Sequence, residues 1–600
     1  MVSARIDRVG RALCNSTEFL SAGNLLARPA LTAAWIAAIA AAVAYFRVRP
    51  REDLRRPALD YTDWILIAGI AAVLAIVALV ALLSPPNSSD AMAYHLPRVL
   101  FWAQQRSVRF FATPYLNQIM LQPFAEYLML HTYILSGGDH FVNLIQWFGC
   151  VTSVIAVSLI AKKFGAGPRG QIVAALVCAT LPNGVLQASG AKNDYLMAGW
   201  LAAAAYFLLA RETMEDAIFA GLALGLAIGT KATAYLYAPP LILAITLPAW
   251  RQWMPRGPAI AAMAACALSL NAPQYLRNID LSGSPLGFDG AFGDGRFRWR
   301  NEKFGWRETA SNLIRNSTEQ IAFRDPRWNR KIYDWALAAH RLIGANPNDP
   351  ATTWRWSTYE PPRNANHETN TSSRWQVLLF AVCFAALLFR RGWRAMWYYA
   401  TALIAGFLLF CFYLKWQPFM ARMFLPLFVM ASPIAGVLLE KIRPPAIALL
   451  LCLFLLNNAR PYLFENWVRP LKGERSLLRT PRDSNYFSDM KQWDDADSYR
   501  QAVDAAAQLP CGLFGIDIND FQLEYPFEAL LKEKKPEARF IHTGVGGPSA
   551  KYATSERPCA VLCLDCAGDS NRIVLYREYR TPLPMGKFLF FPGLRGQPSP

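Results

Sequence analysis

Two acidic residues in this chain stand at the edges of long apolar runs, and several cations stand at the edges of others. Asp90 lies in Asn87-Ser88-Ser89-Asp90-Ala91-Met92-Ala93-Tyr94-His95-Leu96-Pro97-Arg98, just beyond an apolar stretch. On a helix Tyr94 follows Asp90 by one turn and Arg98 by two, so the three share a face unless Pro97 kinks the helix first. Asp194 lies in Ser189-Gly190-Ala191-Lys192-Asn193-Asp194-Tyr195, immediately before another apolar stretch. Lys231 closes the run that begins at Gly221, and Lys415-Trp416-Gln417-Pro418-Phe419-Met420-Ala421-Arg422 leads into Met423-Phe424-Leu425-Pro426. A carboxylate in such a place can take a proton from a hydroxyl, and cations can hold and neutralise a phosphate. Together they suit a negatively charged lipid headgroup and a reacting hydroxyl.

Each residue also has a plainer use. Ser88, Ser89 or Asp90 reads as the N-cap of an interfacial helix. Asp194 reads as an acid solvated at a boundary, and Lys231 as a lysine snorkelling from a helix end. Asn364-Ala365-Asn366-His367-Glu368-Thr369-Asn370 reads as a solvated loop more readily than as a ligand site. Ionisable groups at a membrane boundary are nonetheless functional candidates, above all where several converge.

The elements that must position them are membrane helices. Apolar residues make up 54% of the 600-residue chain and charged residues only 17%, and the apolar residues are concentrated in blocks. Trp64 to Leu83 contains no polar side chain, and Phe141 to Ala161 and Met423 to Leu439 contain no charge. Such blocks match the hydrocarbon core of a bilayer, which a helix crosses with its backbone hydrogen bonds satisfied internally. The predicted spans are 30–46, 64–83, 141–161, 171–187, 195–210, 217–230, 233–250, 258–275, 375–389, 395–413, 423–439 and 444–459. The reading is a mainly α, polytopic bundle of about 12 helices with a small C-terminal α/β soluble domain. Its parts are an N-terminal segment at 1–63, a membrane domain at 64–460 and a soluble domain at 461–600.

The loops alternate in charge. One set is short and basic: Arg47, Arg49, Arg51, Arg55 and Arg56; Lys162, Lys163 and Arg169; Arg211; Arg251 and Arg256; Arg390, Arg391 and Arg394; Lys441 and Arg443. The positive-inside rule makes this the cytoplasmic side. The other set holds the long loops 84–140 and 276–374, the tail, and the links carrying Asp194, Lys231, Lys415 and Arg422. It belongs to the outer face, which in a bacterium is the periplasm. The N-terminus then falls outside too, against the mild opposing signal of Arg5, Arg8 and Arg11. No cleavable signal peptide is read in the sequence.

The net charge of +18 does not form the stripe or patch that nucleic-acid binding requires. In the tail, Ser498–Gln508 and Phe527–Lys534 read as helices, and 512–518, 538–542, 560–564 and 573–576 as strands. Cys511, Cys559, Cys563 and Cys566 read as ordinary thiols or a structural disulfide. The spacing of the last two also suits zinc or redox chemistry, but there is no second CxxC.

The ordered set of Ser89-Asp90-Ala91-Met92-Ala93-Tyr94-His95, Gln122-Pro123-Phe124-Ala125-Glu126-Tyr127, Asn193-Asp194, Gly221 to Lys231 and Arg422-Met423-Phe424-Leu425-Pro426 resembles the GT-C superfamily of membrane glycosyltransferases. It is most similar to the branch of protein O-mannosyltransferases and aminoarabinose lipid A transferases, well over 64–275 and more weakly to 460. The resemblance implies a cell-envelope transferase that takes a sugar from a polyprenyl-phosphate donor to a glycolipid, polysaccharide or protein acceptor. It implies Asp90 as the catalytic base, with Lys231, Arg422 and Lys415 on the donor phosphate. Asp194 would position the sugar, the acceptor or a cation. Tyr94, His95, Arg98, Glu126 and His367 complete the expected substrate-binding set. No cofactor is implied with certainty, and a divalent cation between the two acids stays open. The sequence departs from the branch in two places: no second acid follows Asp90, and the Gln122-Pro123 block lacks a lysine and a double proline. A transporter or flippase of lipid-linked saccharides is the alternative, but it needs a polar path across the bilayer rather than ionisable groups at one face.

Overall fold

The protein is described here from a computed structural model covering residues 16–48, 58–210, 213–249, 257–287, 299–389, 392–490, 495–519 and 522–593. Among the loop arginines named above, Arg5, Arg8, Arg11, Arg49, Arg51, Arg55, Arg56, Arg211, Arg251, Arg256, Arg390 and Arg391 lie outside these residues.

Every predicted span is helical over its described residues; Trp250, the last residue of the 233–250 span, lies outside them. Seven helices among the described residues are long and apolar enough to cross a membrane, among them Tyr61–Leu83, Leu144–Lys163, Gly257–Ser282 and Pro445–Phe464. Shorter apolar helices, including Asp194–Ala210 and Arg374–Leu388, accompany them. The expected span at 171–187 is two pieces, Pro168–Ala179 and Pro182–Gln187. Pro182 has no N–H to continue the first helix and instead starts the second.

The helices pack through small residues, as expected where lipid supplies no hydrophobic drive between them. A Cβ on Gly149 would lie 2.6 Å from the backbone nitrogen of Leu196, and one on Gly221 2.3 Å from the carbonyl of Met263. These contacts bring Leu144–Lys163 onto Asp194–Ala210 and Met214–Thr230 onto Gly257–Ser282.

The two ends of the bundle differ. Helix Tyr61–Leu83 starts at a capping box of Asp60 and Asp63, both bound by Arg169. Helix Leu425–Glu440 ends where Glu440 accepts from the N–H groups of Gly167 (2.9 Å) and Gly170 (3.1 Å). Lys162, Lys163, Arg169, Lys441 and Arg443 therefore share one end. The other ends of these two helices lead to Asp90 and Arg422.

Over the Asp90 end sits the tail. Strands β1 (Leu513–Asp517), β2 (Arg539–His542), β3 (Ala560–Cys563), β4 (Leu583–Met585) and β5 (Phe588–Pro592) form a sheet of order β2-β1-β3-β5-β4. β1 runs parallel to β2 and β3, while β5 is antiparallel to β3 and β4. The strand expected at 573–576 is not one. Asp569 caps a short helix, Ser570–Val574, and local side-chain capping overrides the apolar run that suggested a strand. The β4–β5 hairpin, turning at Gly586 (φ 59°), was not anticipated. Its positive φ is where glycine is needed.

The four tail cysteines form two disulfides, Cys511–Cys559 and Cys563–Cys566. The sheet domain docks on the 84–140 segment. Asp139 accepts from Arg482 (2.7 Å), Tyr486 (2.6 Å) and Tyr525 (2.9 Å), and His542 bridges the carbonyl of Ala112 (2.9 Å) to Glu524 (2.7 Å).

Candidate active site

Five ionisable side chains from four separate stretches of chain meet at the Asp90 end. Asp90 opens a π-helical turn, Ala91–His95, and its side chain makes no capping hydrogen bond. The N-cap reading therefore does not account for its carboxylate, which instead accepts from Arg422 and lies 3.9 Å from the ammonium of Lys192. Lys231 caps the C-terminus of Met214–Thr230 and donates to Asp194 at 2.5 Å. Gly229, two residues earlier, is pressed against the ring of Phe124, where a Cβ would fall 2.2 Å away. The Gln122-Pro123-Phe124 block thus packs directly behind Lys231.

A third acid completes the network. Glu368 forms an ion pair with Lys192 and accepts from Arg469 at 2.7 Å. Arg469 also donates to Asn87 Oδ1 and Ser189 Oγ, both at 3.1 Å. Asp489 accepts from the backbone N–H (2.7 Å) and hydroxyl (2.8 Å) of Ser89 and pairs with His367 Nε2 at 2.8 Å. The first loop is thus clamped just before Asp90, at Asn87 and Ser89, by the segment that follows the last span.

Sequence reasoning did not single out Lys192, Glu368, Arg469 or Asp489. A signal existed for two of them. Lys192 is two residues from Asp194, and Glu368 adjoins His367. Nothing local marks Arg469 or Asp489, whose partners lie hundreds of residues away.

Some expected members are engaged elsewhere. Arg98 is fully buried, donating to the carbonyls of Gln118 and Leu121 and to Glu126 at 3.2 Å, and His95 Nδ1 meets the same Glu126 carboxylate at 2.8 Å. A buried guanidinium needs acceptors for its donors, and Arg98 finds them here and not at Asp90, whereas His95 keeps a buried Nε2 without a hydrogen-bond partner and acts electrostatically on Asp90. Lys415 donates to Glu302 (2.7 Å) and the carbonyl of Pro350 (3.0 Å), so it is bound to the second long loop and not to the cluster. Tyr94 stays near Asp90, half-buried, its ring edge-on to Tyr115 with centroids 6.1 Å apart.

Electrostatics set the resting state. A carboxylate at the edge of lipid is expected to have a raised pKa; Asp90 does the reverse. Burial penalises its charge, but Arg422 and Lys192 outweigh that and hold it well below the ordinary range. Glu368 behaves alike: burial opposes ionisation, and Lys192 with Arg469 brings it down to about 2.

Glu368 Oε1 is met by the Lys192 ammonium as an ion pair, but Arg422 Nε and Asp194 Oδ2 are buried with no polar partner. One is a donor suited to an anion and the other an acceptor suited to a hydroxyl or ammonium. The donor set does not fit a divalent ion. Asp90 and Asp194 are each already paired with cations, and three cationic side chains surround them. The one group of three close ligand-type residues found among the described residues is Asp517, Cys563 and Cys566. Its cysteines are joined to each other, and its acid is held by Arg572 and Tyr576.

Residues 122–276 match the family model described as dolichyl-phosphate-mannose-protein mannosyltransferase. No curated protein matches the chain. Among solved structures, ArnT from Cupriavidus metallidurans bound to undecaprenyl phosphate is similar with a TM-score of 0.51 at 13% identity, covering 90% of this chain and 100% of that one. The apo state of the same protein gives a TM-score of 0.49 at 13% identity, over 88% and 98%. At that identity the likeness is one of fold.

Proposed function

We propose that this chain, a GT-C membrane glycosyltransferase of the mannosyltransferase/ArnT-like kind, moves a sugar from a polyprenyl-phosphate donor to an acceptor hydroxyl, with Asp90 as the general base. The observation that carries the reading is the Asp90–Arg422 pair, with Lys192 beside it and the unpaired Arg422 Nε within the same cluster. The ArnT of like fold was crystallised with undecaprenyl phosphate, which supports a phosphate-bearing polyprenyl chain as the donor carrier.

In this mechanism the donor phosphate enters against Arg422 and Lys231. Arg422 turns part of its charge from Asp90 to the phosphate, and Asp90 becomes a stronger base as it loses that partner. The acceptor oxygen attacks the anomeric carbon, its proton passes to Asp90, and the bond from the anomeric carbon to the phosphate oxygen breaks. The charge that develops on the departing phosphate is met by cations already in place. Asp194, through its free Oδ2, orients a sugar or acceptor hydroxyl. Lys192 takes the place that sequence reasoning gave to Lys415. The basic loops at the opposite end orient the protein in a bacterial inner membrane with this site facing the periplasm.

The test is transfer of labelled sugar from a polyprenyl-phosphate donor to an envelope glycolipid fraction by purified protein. Asp90→Asn should lower the rate by roughly 10²–10⁴-fold, the usual contribution of a general base. Transfer at the wild-type rate would remove Asp90 from the mechanism.

A further inference from the structure

Beside the Asp90 cluster, on the other side of the loop that carries Glu368, the start of helix Arg374–Leu388 and the end of helix Pro445–Phe464 wall a groove of about 400 Å³. Arg324, Arg374, Arg460 and Lys472 line it, and none of the four is ion-paired to a carboxylate among the described residues. Glu465 is the one acid on its wall.

These cations are held in place by neutral partners. Arg324 donates to Asn366 Oδ1 at 2.9 Å and lies 5.7 Å from the ring of Tyr462. Arg374 lies over Phe323 (4.6 Å) and Trp375 (5.1 Å), and Lys472 over Phe464 (5.0 Å). Cation–π contacts and amide acceptors orient a cation without neutralising it, so the charge stays available to an anion.

The surroundings say which anion. Both helices are apolar and mostly uncovered by protein next to the groove: Leu378 and Val382 on one, and Leu450 and Phe454 on the other, are exposed. The rings of Trp375 and Phe454 meet edge-on at 5.1 Å and join the two apolar faces at its mouth. A polar cationic pocket that opens onto an apolar seam, with a tryptophan at the junction, has the layout of a lipid headgroup over its acyl chains. Unneutralised arginines are also disfavoured at the non-cytoplasmic end of spans, where the orientation proposed above puts them.

We infer that the groove binds the phosphate of an anionic membrane phospholipid, with the acyl chains lying along the seam between helices Arg374–Leu388 and Pro445–Phe464. This is a second lipid site, separate from the donor site at Asp90. The loop 364–372 lies between the two. Asn366 faces the groove through Arg324, and Glu368 faces the cluster through Lys192 and Arg469.

Native mass spectrometry of the full chain in detergent tests this, with phosphatidylglycerol, phosphatidylcholine and inorganic phosphate as separate probes. The wild type should retain phosphatidylglycerol over phosphatidylcholine, and the double variant Arg460→Gln/Lys472→Gln should weaken that retention roughly tenfold or more. Both substituted residues are exposed, so the variant should melt like the wild type. Asp90→Asn should leave retention unchanged, which separates this site from the proposed active site. Equal retention of the two lipids, or of phosphatidylglycerol by wild type and double variant, would overturn the inference. Inorganic phosphate binding as tightly as the lipid would overturn it too.

Discussion

Arg422, on the turn that starts helix Leu425–Glu440, donates to the carboxylate of Asp90, 332 positions earlier in the chain. The pair joins the first loop to the last third of the membrane domain and holds the proposed base ionised at rest. Its consequence is a base that is always deprotonated but weak until the cation is drawn away.

Arg422→Gln should therefore do two things. Transfer should fall by roughly 10²–10³-fold in kcat, as when a positioned charge-stabilising donor is lost. Asp90 should also regain a pKa nearer the ordinary carboxylate value, because a neighbouring cation is gone. A base must be deprotonated to act, so the acidic limb of the kcat/KM profile should move to higher pH. In the wild type that limb should lie below the usual carboxylate range. A variant profile that overlays the wild-type one would contradict the pairing.

Lys231 and Lys415 should behave differently. Lys231→Met should raise the KM for the donor and take from Asp194 its one hydrogen-bonded cation while Arg422 and Lys192 stay nearby, at a stability cost below the roughly 3–5 kcal/mol of a fully stranded buried charge. Adding Asp194→Asn should recover much of the stability but not the activity. Lys415→Met should leave the donor KM near wild type, since its ammonium is bound to Glu302 and Pro350. Steady-state kinetics and thermal melting of the four proteins decide it.

Glu368 ties Lys192 to Arg469 in a site with almost no solvent exposure. Glu368→Gln should strand both cations and lower the melting temperature. Lys192→Met/Glu368→Gln should melt above Glu368→Gln alone, because one of the two stranded cations is gone and only Arg469 is left without its carboxylate. Additive losses in the double variant would argue against the coupling.

Glu319, buried near the end of helix Trp306–Gln320, has its carboxyl pushed up to about 8 by burial, against a weaker opposing pull from Arg363. Between the unfolded carboxyl's pKa near 4.5 and the folded value, unfolding releases a proton. Stability should accordingly decline as pH rises through that window and level off above about 8. Glu319→Gln should remove that part of the slope and stabilise the protein at pH 8, by an amount on the order of a few kcal/mol. Melting midpoints of both proteins from pH 5 to 9 provide the check.

Asp139 gathers Arg482, Tyr486 and Tyr525 and so docks the sheet domain onto the first loop. Asp139→Ala leaves the two buried hydroxyls of Tyr486 and Tyr525 without their acceptor, each costing roughly 1–3 kcal/mol, and frees the partly exposed Arg482. Limited proteolysis should then cleave the junction near the last span faster than in the wild type, while the helical bundle stays protected.

What the sequence determined by itself is the bundle and the end at which its chemistry gathers. A membrane span is read from local composition, because each helix must satisfy its own backbone in lipid. Every predicted apolar run is accordingly helical over its described residues, with Pro182 dividing one of them. Placing Asp90, Asp194, Lys231 and Arg422 at one end needed only the alternation of spans. The partner of each charge was another matter. Arg98 and Glu126 looked like neighbours of Asp90 and are enclosed with each other, while Glu368, Arg469 and Asp489 carried no mark of their place beside it. A buried ionisable group takes whichever counter-charge packing brings within reach. That depends on contacts between segments hundreds of residues apart, so only the tertiary structure decided it.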